Sequence, residues 1–254
     1  MHLIDTHCHL FLPEFDDDRD EMIQRALSNK VEGFILPNVD SSTTPALTKL
    51  CSEYPAMMFP LMGLHPTSVE DDYKNELAQV ELLLEQNKYF GIGEIGIDLY
   101  WDQSFKDEQE DAFRTQLKWA QLLDLPVVIH IRDSFTETVR IIESVGGNFK
   151  GIFHCFTGSL EEANIAIDLG FHLGIGGVLT FKNSQLDQVV SQLDLSKLVV
   201  ETDSPYLAPA PKRGKRNESA YLAYTVKKLA DIFNLHTSQI AERTTSNAQK
   251  IFAI

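Results

Sequence analysis

Six residues of the types that bind metal ions are spread along this chain, each at the end of a segment with strand character. They are His7, His9, Glu94, His130, His154 and Asp203. No local loop could gather side chains this far apart in sequence, whereas a closed barrel of parallel strands ends every strand at the same face. Four imidazoles and two carboxylates meeting at one face suit a hydrolase that uses divalent metal ions. The pattern predicts a catalyst rather than a binding module.

The first of these segments contains two histidines separated by one residue. Side chains alternate across a strand, so His7 and His9 project to the same side while Cys8 faces away. Asp5 falls on the same face one step deeper, where it could orient the ring of one histidine. An H-x-H pair is weak by itself, and its place at the end of the first strand makes it a predicted ligand pair.

Three further candidates come from the middle of the chain. Glu94 lies among glycines, which let the backbone approach a ligand closely, although a charged residue in a glycine-rich turn would look the same. His130 and His154 each follow a short run with strand character. A single histidine there is more often a hydrogen-bonded core residue, but two in the same context beside Glu94 favour metal ligands.

The last candidates surround the eighth strand segment. Asp203 could bind a metal and accept a proton from the attacking water, or it could simply begin a turn before Ser-Pro. Glu201 should point to the same side one layer deeper, as a second base or as the partner of a ligating histidine. The ligands then divide between two ions that Glu94 bridges: His7, His9 and Asp203 for the first, and His130 and His154 for the second.

Segments with strand and helix character alternate from end to end. The strand candidates are His2–Asp5, Gly33–Pro37, Met58–Leu64, Phe90–Glu94, Val127–His130, Gly151–His154, Phe171–Ile175 and Leu198–Glu201. The helix candidates are Asp17–Asn29, Thr44–Glu53, Tyr73–Asn87, Lys106–Leu123, Glu137–Val145, Leu160–Leu169, Asn183–Leu193, Ser219–Phe233 and Thr237–Phe252. Eight alternating strands favour an α/β fold of the closed (β/α)8 TIM-barrel type over an open doubly wound sheet, with residues 1–254 as one domain.

Composition narrows the class of protein. The chain has 254 residues, of which 43% are hydrophobic, and no apolar run reaches the roughly 18 to 20 residues that a membrane-spanning helix needs. No basic segment leads into an apolar one at the N-terminus, so we expect no signal peptide. Three cysteines without a CxxC pair favour a reducing environment, and the sequence predicts a cytoplasmic protein.

The charge balance bears on possible partners. A formal net charge of −15 excludes a protein that coats nucleic acid with a broad basic surface, but not a nuclease whose contacts are confined to a cleft. Bound cations and a few arginines can create one positive site on an acidic body. The one basic stretch is Ala208–Asn217, after the eighth strand, and it contains Lys212, Arg213, Lys215 and Arg216.

Seven motifs taken in order resemble the TatD family of metal-dependent deoxyribonucleases, within the amidohydrolase-type barrels. They are DTHCHL at 5–10, MGLHP at 62–66, GEIGID at 93–98, VVIHIRD at 127–133, FHCFTGS at 153–159, ETDSPYLAP at 201–209 and RGKRN at 213–217. The resemblance implies a (β/α)8 barrel that hydrolyses phosphodiester bonds, with 3′-to-5′ exonuclease action on single-stranded DNA or RNA. It covers nearly the whole chain.

The resemblance also implies roles for individual residues. The six candidates above match the metal ligands of the family, and Asp203 matches its favoured base. His65 matches a position close to the metals where it would contact a substrate phosphate, although a polar residue before proline could also simply end a strand. The expected cofactors are two divalent ions, with Mg²⁺ or Mn²⁺ in use and Zn²⁺ or Ni²⁺ possible in the purified protein.

Four more residues are candidates for binding the substrate. A planar guanidinium can hold a phosphate in a bidentate grip, which makes Arg132 and Arg213 candidates. Tyr100 and Trp101 could stack on bases, or they could pack over the barrel mouth. We expect no membrane and no obligate protein partner.

Two other functions fit the same residues. The site could act on the ester of an aminoacyl-tRNA or on a small amide or ester, because a barrel by itself hosts many chemistries. A metal-binding scaffold without catalysis is the third reading, but such a protein would be expected to lack one or more ligands, and here none is missing.

Overall fold

A computed structural model describes residues 2–254 of the chain. In this range the strands are β1 Leu3–Asp5, β2 Val31–Leu36, β3 Met58–Pro60, β4 Ile92–Asp98, β5 Val127–Arg132, β6 Gly151–Phe153, β7 Phe171–Ile175 and β8 Leu198–Val200. The helices are α1 Arg19–Ser28, α2 Thr44–Glu53, α3 Tyr73–Gln86, α4 Lys106–Leu123, α5 Phe135–Val145, α6 Leu160–Asp168, α7 Leu186–Val190, α8 Leu222–Phe233 and α9 Thr237–Phe252. Short 3₁₀ turns occupy Pro13–Phe15, Pro66–Ser68, Gly177–Thr180, Leu195–Lys197 and Ser219–Tyr221.

The strands form a closed, parallel barrel. One parallel group runs in the order β1-β2-β3 and the other in the order β4-β5-β6-β7-β8. A parallel bridge between Met62 and Ile92 joins the two groups on one side, and a bridge between Cys8 and Ser204 joins them on the other. The predicted (β/α)8 fold is therefore confirmed, and all carboxyl ends of the strands open at one face.

A small apolar cluster separate from the main core packs residues of the strands against α9. Its buried members are Ile4, Ile35, Leu61, Val128, Ile152, Val199, Ala248, Ile251 and Phe252. The larger core lies around it and includes residues of the helices and of the remaining strand positions. Burial of each large aliphatic side chain contributes about 1.5–3 kcal/mol relative to exposure, so the two clusters hold the barrel rigidly enough to position side chains at its mouth.

The fourth strand differs from its prediction. The sequence places a strand at Phe90–Glu94 that ends at the carboxylate, whereas β4 continues four residues further and Glu94 lies inside it. The glycines that look like a turn instead allow close contact between strands: a Cβ at Gly96 would lie 2.1 Å from the carbonyl oxygen of His130. The longer strand brings Asp98 to the barrel mouth as well.

The seventh helix is also shorter than predicted. A continuous helix over Asn183–Leu193 is expected from the apolar spacing, but α7 has five residues. Gln185, which precedes it, has a left-handed backbone with φ of +53°, and a regular right-handed helix cannot pass through such a residue. Among residues 2–254, no helix combines the length and the apolar character needed to cross a membrane.

The ring of His172 on β7 gives the fold a predicted sensitivity to acid. Burial, together with the nearby Lys197, lowers its pKa to about 4. The unfolded ring binds a proton near pH 6.5, so stability from the neutral ring is complete above that pH and falls as the pH drops towards 4. We expect this loss to reach no more than about 2 kcal/mol, since partial exposure screens the effect.

The measurement is urea unfolding at pH 7 and at pH 5 for the wild type and for His172→Gln. The variant should lose part of the difference in unfolding free energy between the two pH values. An unchanged difference would show that His172 does not carry this acid sensitivity.

Candidate metal centre

Three of the six predicted ligands converge on one side of a fourth, the Glu94 carboxylate. Its Oε2 lies 3.0 Å from Nε2 of His7 and 3.5 Å from Nε2 of His9. Oδ1 of Asp203 lies 3.7 Å from the same two nitrogens. The four side chains are brought together from the ends of β1 and β8 and from the middle of β4.

The other oxygen of Glu94 faces the remaining two ligands. Oε1 lies 2.8 Å from Nδ1 of His130 and 2.7 Å from Nε2 of His154. The ring of His154 also stacks on that of His7, with 3.8 Å between centroids, so the two halves of the site are contiguous. Glu94 therefore lies between two sets of ligand atoms, one for each of its oxygens.

The chemistry of this donor set fits divalent cations. Two atoms that bind one ion at about 2.0–2.2 Å lie roughly 3–3.5 Å apart. Nε2 of His7 lies 3.1 Å from Nε2 of His9, and Nδ1 of His130 lies 3.3 Å from Nε2 of His154.

The charges of the side chains in the site also favour the binding of divalent cations. Four carboxylates, of Glu94, Asp98, Glu201 and Asp203, line or support it, and within residues 2–254 their only ion-pair partners are histidines. Buried negative charge of this density calls for balancing positive charge, which divalent cations bound between these side chains would supply.

Asp98 is a functional candidate that sequence reasoning missed. Its Oδ2 lies 3.0 Å from Nε2 of His130, on the side of the ring away from Glu94. The charged carboxylate accepts the Nε2–H proton, which leaves the lone pair of Nδ1 free to face Glu94 and an ion. Burial would raise the pKa of Asp98, but the hydrogen bond with His130 lowers it overall. The signal was available in the spacing, because positions 94 and 98 share a face once the strand is extended.

Glu201 lies behind His154 and is fully buried. Its Oε1 accepts the backbone N–H of Cys155 at 2.5 Å and lies 3.6 Å from Nδ1 of His154. Gly174 makes room for it, because a Cβ there would lie 2.0 Å from Glu201 Oε2. Of the two roles considered from sequence, this position favours the partner of a ligating histidine over a second base.

Asp203 reaches the barrel mouth from a residue with a left-handed backbone, with φ of +56°. Burial raises the pKa of its carboxyl group to about 6, against the opposing influence of His154 and His9. Asp5, expected to orient a histidine ring, instead accepts hydrogen bonds from the backbone N–H and hydroxyl of Thr202 at 2.9 and 2.6 Å. That expectation was wrong because β1 ends at Asp5 and its side chain turns towards the neighbouring β8 segment.

Two of the three predicted substrate-binding residues line the cleft above the predicted ligands, and the third lies outside it. His65 lies beside the ligands, with Nε2 3.3 Å from Glu94 Oε1. Arg132 lines the same cleft, and its guanidinium lies 3.8 Å from the centroid of the Tyr100 ring. Arg213 is not brought to this cleft, because its guanidinium stacks on Phe181 at 3.8 Å.

The cleft itself has a volume of about 620 Å³ and opens above the ligands. Trp101, on the loop after β4, and Tyr206, on the loop after β8, both line it. Their side chains are 71% and 50% exposed, so they offer free aromatic surface at the entrance. Such a cleft has a polar floor and a largely apolar rim.

A family model described as TatD-related DNase matches residues 4–253 of the chain. The chain belongs to the TatD family. The resemblance inferred from seven motifs is thereby confirmed, and the chain is a member of a family whose curated relatives are named metal-dependent hydrolases.

Three relatives show how closely the chain follows this family. The uncharacterized metal-dependent hydrolase YabD of Bacillus subtilis (strain 168) is 38% identical over 99% of both chains. YcfH of Escherichia coli (strain K12), with the same description, is 32% identical over 100% of this chain and 97% of its own length. The crystal structure of the TatD homologue YjjV from Escherichia coli K12 superposes with a TM-score of 0.93, at 29% identity over 99% and 98% of the two chains.

Proposed function

We propose that this TatD-family protein uses two divalent metal ions to hydrolyse phosphodiester bonds at the end of single-stranded nucleic acid. The observation that carries the proposal is the position of Glu94, whose two oxygens each face a separate set of ligands. Two ions bound there would activate a water molecule and stabilise the leaving oxygen of the phosphate. His7, His9 and Asp203 would hold one ion, His130 and His154 the other, and Glu94 both.

The choice of ion follows from the donor set. Imidazole favours Zn²⁺ or Ni²⁺, whereas Mn²⁺ and Mg²⁺ prefer oxygen ligands and water. A centre with four imidazoles would therefore carry Zn²⁺ or Ni²⁺ through purification and work with Mn²⁺ or Mg²⁺ when these are supplied.

Asp203 is the proposed general base. Its carboxylate lines the cleft beside His7 and His9, where it would accept a proton from the attacking water. The partners behind the ligands hold protons in place: Asp98 fixes the one on His130 Nε2, and Glu201 attracts the one on His154 Nδ1. Glu201 thus acts through His154 in this scheme.

His65 is proposed to donate a hydrogen bond to a substrate phosphate. Its Nδ1 accepts the backbone N–H of Thr67 at 3.1 Å, so in the neutral ring the proton resides on Nε2. That N–H points towards Glu94 and the cleft, where an anionic oxygen would be its partner. Burial lowers the pKa of His65, which keeps the ring neutral.

Arg132 is the proposed cation for the phosphate backbone. Among residues 2–254, no carboxylate lies within 4.0 Å of its guanidinium, although the chain carries a net charge of −15. Stacking on Tyr100 holds the planar group over the cleft while leaving its N–H edge free for a phosphate. Tyr100, Trp101 and Tyr206 are exposed beside it and suit stacking of unpaired bases.

Replacing Arg132 by alanine is expected to raise KM for a DNA strand about tenfold with a smaller change in kcat, because it removes a charge-assisted contact to substrate. Arg132→Lys should recover only part of the loss, since an ammonium cannot form the bidentate contact. Steady-state kinetics with single-stranded DNA measure both effects. Arg213→Ala, which removes a guanidinium outside the cleft, is the matched control, and an equal loss in this control would contradict the role of Arg132.

The size of the cleft favours a strand end. About 620 Å³ accommodates a ligand of ordinary small-molecule size, which corresponds to one or two nucleotides rather than to a duplex. Contacts confined to this cleft also agree with the acidic body of the protein, and they predict affinity that falls as salt rises.

An aminoacyl-tRNA ester or a small amide or ester is the second candidate substrate class. The net charge of −15 favours the small amides and esters of this class, because a small substrate needs no extended basic surface. Single-stranded DNA labelled at the 3′ or the 5′ end and a panel of these esters and amides should therefore be tested at one enzyme concentration with Mn²⁺ or Mg²⁺. Early release of labelled mononucleotide from the 3′ label supports the exonuclease, whereas an intact strand with hydrolysed ester would overturn it in favour of the second class.

A further inference from the structure

Asn217 is a buried amide with every polar side-chain atom in use. Its Nδ2 donates to the carbonyl oxygen of Thr202 at 2.8 Å and to that of Tyr206 at 2.7 Å. Its Oδ1 accepts the backbone N–H of Glu218 at 2.9 Å, and the residue has no solvent exposure. The two carbonyls lie on either side of Asp203 in the chain, so the amide spans the turn that carries this proposed ligand.

The backbone of Asp203 needs such support. Its left-handed φ of +56° is unfavourable for a residue with a Cβ, and such a conformation persists only where surrounding contacts fix it. On the barrel side, the N–H of Asp203 donates to the carbonyl of His7 at 2.9 Å. On the other side, the hydrogen bonds from Asn217 hold the two ends of the turn.

The neighbours of Asn217 fix it in turn to the first helix. Nη1 of Arg216 lies 2.7 Å from Oδ1 of Asp18, and Oε2 of Glu218 lies 2.7 Å from Nη2 of Arg25. Two ion pairs therefore flank the amide and anchor this segment against α1 and the residue before it. The RGKRN motif therefore supports the backbone of the 202–206 turn through Asn217, whereas its composition suggested a basic surface.

We propose that Asn217 is a positioning residue that holds the 202–206 turn so that the Asp203 carboxylate meets the other ligands. The inference rests on the proposed role of Asp203 as a metal ligand. Asn217 does not line the cleft, and it acts only through the backbone on either side of Asp203. Loss of its two hydrogen bonds to the carbonyls of the turn should weaken metal binding more than it weakens the fold.

The chain offers a matched control in Asn247 on α9. Its Nδ2 also donates to two carbonyl oxygens next to β8, those of Leu195 at 3.0 Å and Leu198 at 2.8 Å. Asn247 is buried as well, but its partners precede and begin the strand, at the end opposite Asp203. An alanine at either position removes two hydrogen bonds from Nδ2 to backbone carbonyls, and only those of Asn217 flank the proposed ligand.

The experiment compares Mn²⁺ binding by the metal-free wild type, Asn217→Ala, Asn247→Ala, Asp203→Ala and the double variant Asp203→Ala/Asn217→Ala, using isothermal titration calorimetry. Both asparagine variants should melt a few degrees below the wild type. Asn217→Ala should weaken Mn²⁺ binding by about tenfold or more, as loss of a group that supports a ligand does, while Asn247→Ala stays within about twofold. In the absence of Asp203, the loss of Asn217 should cause no further weakening.

The inference is overturned by wild-type affinity in Asn217→Ala, by equal weakening in Asn247→Ala, or by further weakening in the double variant. Asn217→Ser, which keeps one hydrogen-bond donor, should bind Mn²⁺ with intermediate affinity. This variant replaces Asn217→Ala in the test if the alanine variant does not fold. Wild-type Mn²⁺ affinity in Asn217→Ser would also overturn the inference. A wild type that binds no Mn²⁺ would overturn the proposed metal centre and this inference with it, whereas an unchanged Asn217→Ala would overturn the inference alone.

Discussion

Replacing Glu94 by glutamine is expected to lower kcat by about 10³-fold or more and to weaken both metal positions together. The carboxylate faces His7 and His9 with one oxygen and His130 and His154 with the other, so its loss affects both halves of the site. Loss of its charge removes several kcal/mol of support for the bound ions, and each 1.36 kcal/mol is a factor of ten in rate. Kinetics on single-stranded DNA and Mn²⁺ titration measure the two effects.

A matched control for this variant is Glu76→Gln on α3. Glu76 accepts hydrogen bonds from the backbone and hydroxyl of Ser41, on the outside of the barrel. Its loss should leave kcat and metal affinity near wild type. If Glu94→Gln lost only one metal position and kept most of its activity, Glu94 would not be the residue shared by both halves.

The second large effect is expected from Asp203→Asn, which should lower kcat by about 10³-fold. The metal-free variant should nevertheless be at least as stable as the metal-free wild type. The amide can neither accept the proton nor supply negative charge to an ion. Burial raises the pKa of Asp203 to about 6, so the charged carboxylate lowers the stability of the metal-free protein as the pH rises through that value. The neutral amide removes this penalty, and the variant should melt at or slightly above the wild-type temperature at pH 8.

Paired measurements decide this prediction. Kinetics at saturating Mn²⁺ give the loss of activity, and thermal melts of the metal-free proteins at pH 5 and pH 8 give the effect on stability. The difference between wild type and variant should be larger at pH 8 than at pH 5. A variant that unfolds at both pH values would mean that Asp203 holds the fold together, and retained activity would remove it as the base.

The sequence predicts which side chains come together, because strand ends in a parallel barrel meet whatever their separation along the chain. His130 and His154 are 24 residues apart, yet Nδ1 of one lies 3.3 Å from Nε2 of the other. Hydrophobic runs that end in a polar residue mark such positions without any knowledge of the loops between them. The family model confirms the family and the strand topology confirms the barrel, while the single domain and the cytoplasmic location stay predictions.

Glu201 was predicted behind the ligands, but Asp98 and Asn217 were not and Arg213 was misplaced, for reasons that differ from case to case. Asp98 was missed because the glycines after Glu94 look like a turn, although they serve close contact between β4 and β5. Asn217 was missed because its neighbours are basic and its role depends on backbone carbonyls of another loop. Arg213 was assigned to the substrate from its charge, yet the direction of a long side chain in a loop is set by contacts that sequence does not contain, here with Phe181.

The most direct test of the proposed centre is anomalous X-ray scattering from crystals of the protein soaked in Mn²⁺. We predict two manganese peaks about 3.5–4 Å apart, with Glu94 between them. One should lie among His7, His9 and Asp203, and the other beside His130 and His154. A single peak, or two peaks of which Glu94 contacts neither, would contradict a two-metal site bridged by this carboxylate.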